Sequence, residues 1–379
     1  MTATLRNLRA YIEESRLHHE GYLHESTRAL ADYFMKQNSF AYLAGEHGLR
    51  VYSKGIYRYG GSELIRKEIY KVHPTALSDD ISELIGKIKN VTEHDRSEFD
   101  SNPNELNLAN GVLNFSTGEF MRHSRKRLNL IQYPIRYDRK AKCPLILKSI
   151  AQWHPSPTQQ ERLLDQSAYV LMKEDFLQKF FIHYGKPAAG KDTFLNVLRA
   201  ALGYWNISSQ SIRALSSNRF APAKLAGKQA NLCGETSRLI LADTTTLNQL
   251  TGGGMLTAEN KFGQPFQFVN HAKLFFAMNR IPKFENLDDA FYRRIEITVW
   301  DESFLGKEDV DLSRKLTTPR NLSGFLNELI PRMRRIHRTR RLKWQQSFTE
   351  SKDRWDELAV KDAIGRLDHE KLGLGKVGD

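Results

Sequence analysis

A nine-residue run, GKPAAGKDT from Gly185 to Thr193, constrains this chain more than any other segment. It follows an apolar stretch, FFIHY, and precedes FLNVLRAAL, whose apolar residues have helical spacing. Strand, glycine loop and helix in that order are the context of a phosphate-binding loop. Gly185 and Gly190 bracket four residues, and Lys191 follows at once. Glycines let backbone N–H groups point inward at phosphate oxygens, and the helix start adds the positive end of its dipole. Lys191 would reach the β- and γ-phosphates. The segment therefore reads as a site for ATP and Mg²⁺ built from Gly185, Ala189, Gly190, Lys191, Asp192 and Thr193. One position departs from the pattern. Asp192 stands where a Ser or Thr hydroxyl normally ligates Mg²⁺. A carboxylate is a competent ligand for that ion, but it brings negative charge close to the phosphates. It also favours the first turn of a helix on electrostatic grounds alone.

The 379 residues suffice for two or three domains of roughly 100–200 residues each. A net charge of +13 favours a polyanionic partner, nucleic acid foremost, although a solvated basic surface carries the same charge. Cys143 and Cys233 are far apart and no CxxC pair exists, which argues against a zinc knuckle. No apolar run reaches the roughly 18 residues of a membrane span. The start, MTATLRNLRAYIEE, lacks the apolar core of a signal peptide. The expectation is a soluble, cytoplasmic protein with no membrane partner, in the host cell if the chain is viral or plasmid-borne.

Three regions differ in character. Residues 1–145 look mixed α+β. Leu5, Leu8, Tyr11 and Ile12 have helical spacing, as do Leu30, Ala31, Phe34 and Met35. LRVYSKGIYRY reads as two strands around a Ser-Lys-Gly turn, a helix is expected after Ser78 as its N-cap, and LNLANGVLNFSTGEF is hairpin-like. Residues 146–305 alternate strands and helices, with strands expected at Phe180–Tyr184, Gln229–Cys233, Ala272–Met278 and Arg294–Trp300. Residues 306–379 look helical, with an apolar stripe of Leu322, Phe325, Leu326, Leu329, Met333 and Ile336. A basic run, RMRRIHRTRRLK from Arg332 to Lys343, would either track nucleic-acid backbone or form a solvated helical face.

A phosphate-binding ATPase needs an acidic residue at the end of a second strand, and Glu235 in AGKQANLCGETS is in that place. Further on come LTGGGMLTAENKFGQPFQF, FFAMNRIP and DDAFYRRIEI. In order and spacing these blocks resemble the superfamily 3 helicases, specifically the phage and plasmid primase–helicase branch. NLANGVLNFSTGEF and YDRKAKCP resemble the domain that precedes the helicase in that family, so the likeness covers roughly residues 50 to 335. It implies an α/β fold: a P-loop, AAA+-like ATPase core, a mixed α+β N-terminal domain and a helical C-terminal region.

The resemblance assigns roles by position. Lys191 holds phosphate, Glu235 polarises water, and Asp192 and Glu235 hold Mg²⁺. Asn279 matches the sensor asparagine that contacts the γ-phosphate or attacking water. Arg293 or Arg294 matches the arginine finger that reaches a neighbouring subunit's ATP. Lys261 and Phe262 fall at the tip of the DNA-contacting hairpin, where an amine pairs with phosphate and an aromatic stacks on a base. The implied protein is a replicative DNA helicase for a plasmid or virus. It would be a homo-oligomeric ring, a hexamer, moving 3′ to 5′ on single-stranded DNA to unwind duplex, with a primase or primase–polymerase in cis or trans. Departures fall at Asp192, at Gly234, where many members carry a second acid, and at Gly254, where Asp is common. They leave two rivals standing: a DNA-binding assembly module that does not hydrolyse ATP, and a P-loop ATPase acting on another substrate.

Overall fold

The computed structural model describes residues 10, 23–46, 48–234, 240–241, 244–284 and 287–371. The helical spacing read at Leu5–Ile12 therefore lies outside the described residues. The chain divides into two compact units, residues 1–103 with 120–132, and residues 104–119 with 133–379. Residues 104–119 and 133–145, which by character go with the N-terminal region, pack with the second unit.

The first unit starts with α1 (Leu23–Gln37), β1 (Phe40–Leu43), β2 (Leu49–Ser53) and β3 (Ile56–Tyr59). Then follow α2 (Gly61–Val72), α3 (Ser78–Val91) and β4 (Glu93–His94), the sheet running β3–β2–β1–β4. Lys54 and Gly55 turn the β2–β3 hairpin with φ of 49° and 93°, the left-handed pair that a two-residue turn demands. His123 fills the space beside Gly55, where a Cβ would lie 2.5 Å from the ring. The helices cover the sheet with Ala31, Phe34, Ile65, Ile69, Ile81, Leu84 and Ile88. Ser78 is the first helical residue of α3 and Leu77 its N-cap; Asp79 and Asp80 supply the favourable first-turn charge instead of a hydroxyl cap.

In the second unit a hairpin, β5 (Glu105–Leu108) and β6 (Gly111–Asn114), is followed by α4 (Pro144–Trp153) and α5 (Pro157–Leu171). The α/β core then runs β7 (Phe180–Gly185), α6 (Lys191–Leu202), β8 (Ile207–Ser208), α7 (Ile212–Ser217) and β9 (Ala230–Cys233). It continues with α8 (Thr245–Thr251), the hairpin β10 (Met255–Glu259) and β11 (Pro265–Val269), β12 (Lys273–Met278), α9 (Asp289–Arg294) and β13 (Ile295–Trp300). All four expected strands are present, shifted by no more than a residue. They form a parallel sheet in the order β13–β7–β12–β9–β8. β7 and β12 are buried along their whole length, as central parallel strands covered on both faces must be.

The chain leaves β7 toward one edge of the sheet and leaves its neighbour β12 toward the other. Where exits diverge in this way a crevice opens beyond the carboxyl ends of the strands, which is where open α/β sheets bind ligands. Among the described residues three helices follow: α10 (Leu312–Leu316), α11 (Pro319–Thr339) and α12 (Phe348–Lys371). The stripe from Leu322 to Ile336 is buried on α11, which packs on α5. No helix among the described residues is long and apolar enough to cross a membrane.

Candidate functional site

The glycine loop from Gly185 to Gly190 opens at the crevice between β7 and β12. Two glycines are there for steric reasons. A Cβ at 185 would lie 2.2 Å from the carbonyl oxygen of Trp300, the residue paired with it on β13. Gly190 has φ 96° and caps α6, and a Cβ there would lie 2.4 Å from Trp153 Nε1. Ala188 also takes a left-handed φ of 54°. The segment after β13 clasps the loop: Phe304 N donates to Ala188 O at 3.0 Å and Ser303 Oγ to Pro187 O at 3.1 Å. The Lys191 side chain is buried, and its Nζ donates to the carbonyls of Gly185 at 2.8 Å and Lys186 at 2.6 Å.

An aromatic floor holds this loop. Trp153, Phe194 and Trp300 pack together, and His183 lies between Phe194, Phe275 and Trp300. Burial pushes His183 down to about 3 and His154 to about 4, so both rings are neutral near pH 7. Trp300 Nε1 accordingly donates to His183 Nδ1 at 3.2 Å.

Asp192 points across to the end of β9. Its Oδ1 is 2.7 Å from where a Cβ on Gly234 would stand. Asn279 directly follows Met278, which pairs with Tyr184, so it sits beside the start of the glycine loop. Lys191, Asp192, Gly234 and Asn279 thus gather at the carboxyl ends of the strands. Glu235 lies outside the described residues. Among the described residues no cluster of three or more His, Cys, Asp or Glu is placed to hold a metal.

Arg293 and Arg294 lie at the opposite, amino end of the strands. They precede Ile295, which pairs with Phe180 at the start of β7, whereas Trp300 pairs with Gly185. Five residues of strand separate the two ends, about 17 Å. The two arginines differ. Arg293 is exposed, while Arg294 is half-buried and donates to Ala290 O at 2.9 Å. Burial and the charge of Arg293 lower the pKa of Arg294. Asp288 caps α9 through Phe291 N at 2.8 Å and fixes where both arginines emerge.

The β10–β11 hairpin alternates buried Leu256 and Ala258 with exposed Met255 and Thr257. At its tip Phe262 is 97% exposed with φ 65°, and Lys261 Nζ stands 5.1 Å from its ring centroid. A fully exposed phenylalanine contributes nothing to the core.

The basic run is a different matter. Arg332 makes a two-pronged pair with Glu161 at 2.8 and 2.9 Å, and Arg335 bonds the fully buried Asp165. His337 and Arg340 share Glu174, and Arg340 also lies over the Phe176 ring. Arg332, Arg335, His337 and Arg340 bind α11 to α5 and to Glu174 just beyond it, while Arg338, Arg341 and Lys343 of the same run are exposed. Sequence reasoning missed their partners because Glu161, Asp165 and Glu174 lie more than 160 residues away. It also missed Trp153, which lines Gly190 from another helix.

Two family models match parts of the chain, and the first of them runs across both units. Residues 21–155 match the family described as D5 N terminal like, and residues 183–294 match a family of unknown function, DUF5906. No curated protein matches the chain in sequence. The fold is similar to the C-terminal region of NrS-1. Its A-form apo structure gives a TM-score of 0.53 at 13% identity, covering 81% of this chain and 70% of that one. A second apo structure of that region gives 0.51 at the same identity and coverage. At this identity the likeness is one of fold. The likeness in sequence is thus to the D5 N-terminal type over residues 21–155, and the likeness to NrS-1 is of fold alone.

Proposed function

We propose that the chain is an ATP-driven DNA translocase that works as a ring, the motor of a replicative helicase. One observation carries this most: the glycine loop, Asp192 and Asn279 meet at the carboxyl ends of the strands, while Arg293 is displayed at their amino ends. An arginine about 17 Å from its own glycine loop cannot reach its own phosphates. It can serve a neighbour, and a closed ring of head-to-tail contacts supplies one neighbour per site. Arg293 is the better finger, because Arg294 is tied to its own helix.

In this reading Lys191 leaves the Gly185 and Lys186 carbonyls to pair with the β- and γ-phosphates. Asn279 orients the attacking water or the γ-phosphate, and Glu235 takes up the water's proton. Asp192 and Glu235 would hold Mg²⁺, which when bound neutralises phosphate charge. The hairpin tips carry Lys261 onto backbone phosphate and Phe262 onto a base, so that turnover at successive sites moves them along one strand. The family resemblance supplies the hexamer, the 3′-to-5′ direction and a primase partner.

The test is ATP hydrolysis with and without single-stranded DNA, wild type against Lys191→Ala. Strong stimulation by DNA that vanishes in the variant is the expected result. The unusual pairing of Asp192 with Gly234 favours one rival, a DNA-binding module with a disabled site. DNA binding with no turnover in either protein would establish it.

A further inference from the structure

The helix α12 touches the same crevice from the face opposite the aromatic floor. The two oxygens of Asp362 serve two different segments. Oδ1 accepts from Tyr184 Oη at 2.7 Å, and Oδ2 accepts from the backbone N–H of Ile281 at 2.6 Å. Tyr184 immediately precedes Gly185, and Ile281 lies two residues past Asn279. The β7–β12 ladder stops at the pair Tyr184–Met278. Beyond it the glycine loop and the asparagine turn diverge, and the Asp362 carboxylate ties them together again. Burial, reinforced by the bond to Asp362, pushes the Tyr184 hydroxyl well above the usual tyrosine range, so it remains a donor; Arg280 and Asp301 are the other charges that face it.

The rest of α12 is fixed at the far end of the strands. Ser351 Oγ donates to Ile295 O at 3.1 Å, Trp355 packs on Phe284 and Phe291, and Tyr292 Oη reaches Asp356 at 3.5 Å. From Ser351 to Asp362 the helix rises about 16 Å, close to the length of the strands it crosses. The helix is therefore a strut anchored beside the α9 arginines, and Asp362 is its contact with the glycine-loop end.

We propose that Asp362 is a positioning residue for turnover, holding Asn279 at its working distance from the glycine loop. This rests on the nucleotide reading above. Asp362 touches no substrate in that reading; it acts through Tyr184 and the Ile281 turn.

The experiment compares full-length wild type, Asp362→Ala and Asp362→Asn. Three readouts are taken: amide exchange at Ile281 without nucleotide, binding of a fluorescent ATP analogue, and kcat and KM for ATP. In Asp362→Ala the Ile281 amide should exchange at least about tenfold faster, since its acceptor is gone. kcat should fall about 10- to 100-fold, the scale of a small misplacement of a reacting group, with KM and analogue affinity held within about twofold. Asp362→Asn keeps an oxygen for Ile281 N–H and an amide that can face Tyr184 Oη, so it should recover most of kcat. Unchanged exchange and kcat in Asp362→Ala overturn the role alone. So does a loss of kcat that tracks a matching loss of Tm and of analogue binding. A wild type with no turnover overturns the nucleotide reading and this role together.

Discussion

The Oδ1 atom of Asp192 occupies space that a side chain on Gly234 would need, 2.7 Å from the position of its missing Cβ. Position 192 is on the first turn of α6 and position 234 is at the end of β9, yet they compete for one volume. A carboxylate at 192 with glycine at 234 puts one negative charge, carried by the helix, in the space at the end of β9.

This relationship makes a double-mutant prediction. Asp192→Ser alone should weaken Mg²⁺-dependent hydrolysis by removing a carboxylate. Gly234→Asp alone should also weaken it, by crowding two carboxylates into one space. The double variant should recover most of the activity, giving a coupling on the order of 1–3 kcal/mol in the cycle of ATPase rates against Mg²⁺ concentration. Additive losses would show that the two positions do not share an ion.

The arginine geometry predicts complementation. Lys191→Ala and Arg293→Ala should each be nearly inactive as pure assemblies. Mixed, they should regain part of the DNA-stimulated ATPase, because some sites then pair an intact Lys191 with a neighbour's intact Arg293. A mixture no better than its components would rule out sites shared between subunits.

The exposed hairpin tip should separate function from stability. Phe262→Ala should leave Tm within about 1 °C, since no core contact is lost. It should also weaken single-stranded DNA binding by about 1–3 kcal/mol, the cost of a lost base stack. Lys261→Ala should lower the salt slope of DNA binding by about one unit. An unchanged affinity and slope would return the tip to bare surface.

Arg335→Ala should destabilise the fold by about 3 kcal/mol in urea melts, because it strips a cation from buried Asp165. The salt slope of DNA binding should stay as in wild type. A lowered slope with an unaltered fold would restore the basic run to the DNA interface.

The pH dependence of stability has opposing parts. The folded state holds His154 and His183 below their ordinary range, so the unfolded chain takes up protons first and stability rises with pH toward about 6.5. Glu296 is the reverse. Burial, against the pull of Lys179 and Arg162, pushes it up to about 7 from an ordinary 4.5, so the folded chain holds the proton and stability falls across that interval. Glu296→Gln removes the falling part. Between about pH 5 and 6.5 its melts should therefore gain stability with pH more steeply than wild type, by about 1 kcal/mol per pH unit. Parallel curves would mean that Glu296 stays ionised.

Much of this was legible in the chain. The strands around the glycine loop appeared as short apolar runs, because central parallel strands are buried on both faces and admit little else. The turn at Lys54–Gly55 and the α11 stripe were legible for the same local reason: backbone angle and helical period act over a few residues. The glycine loop itself was legible because its chemistry is written in consecutive positions.

What only the tertiary structure decided was which distant residues share a place. The run from Arg332 to Lys343 carries the same charge whether it meets DNA or Glu161 and Asp165, and only packing brings those carboxylates against it. Asp362 is an ordinary acidic residue on a helix until the sheet puts Tyr184 and Ile281 at its two oxygens. Arg293 and Arg294 are equal in the sequence, and the burial of one against Gly252 and Ala290 sets them apart. Local physics sets the elements through spacing and backbone angle. The partners depend on topology, since contacts between groups far apart in the sequence leave no periodic trace along the chain.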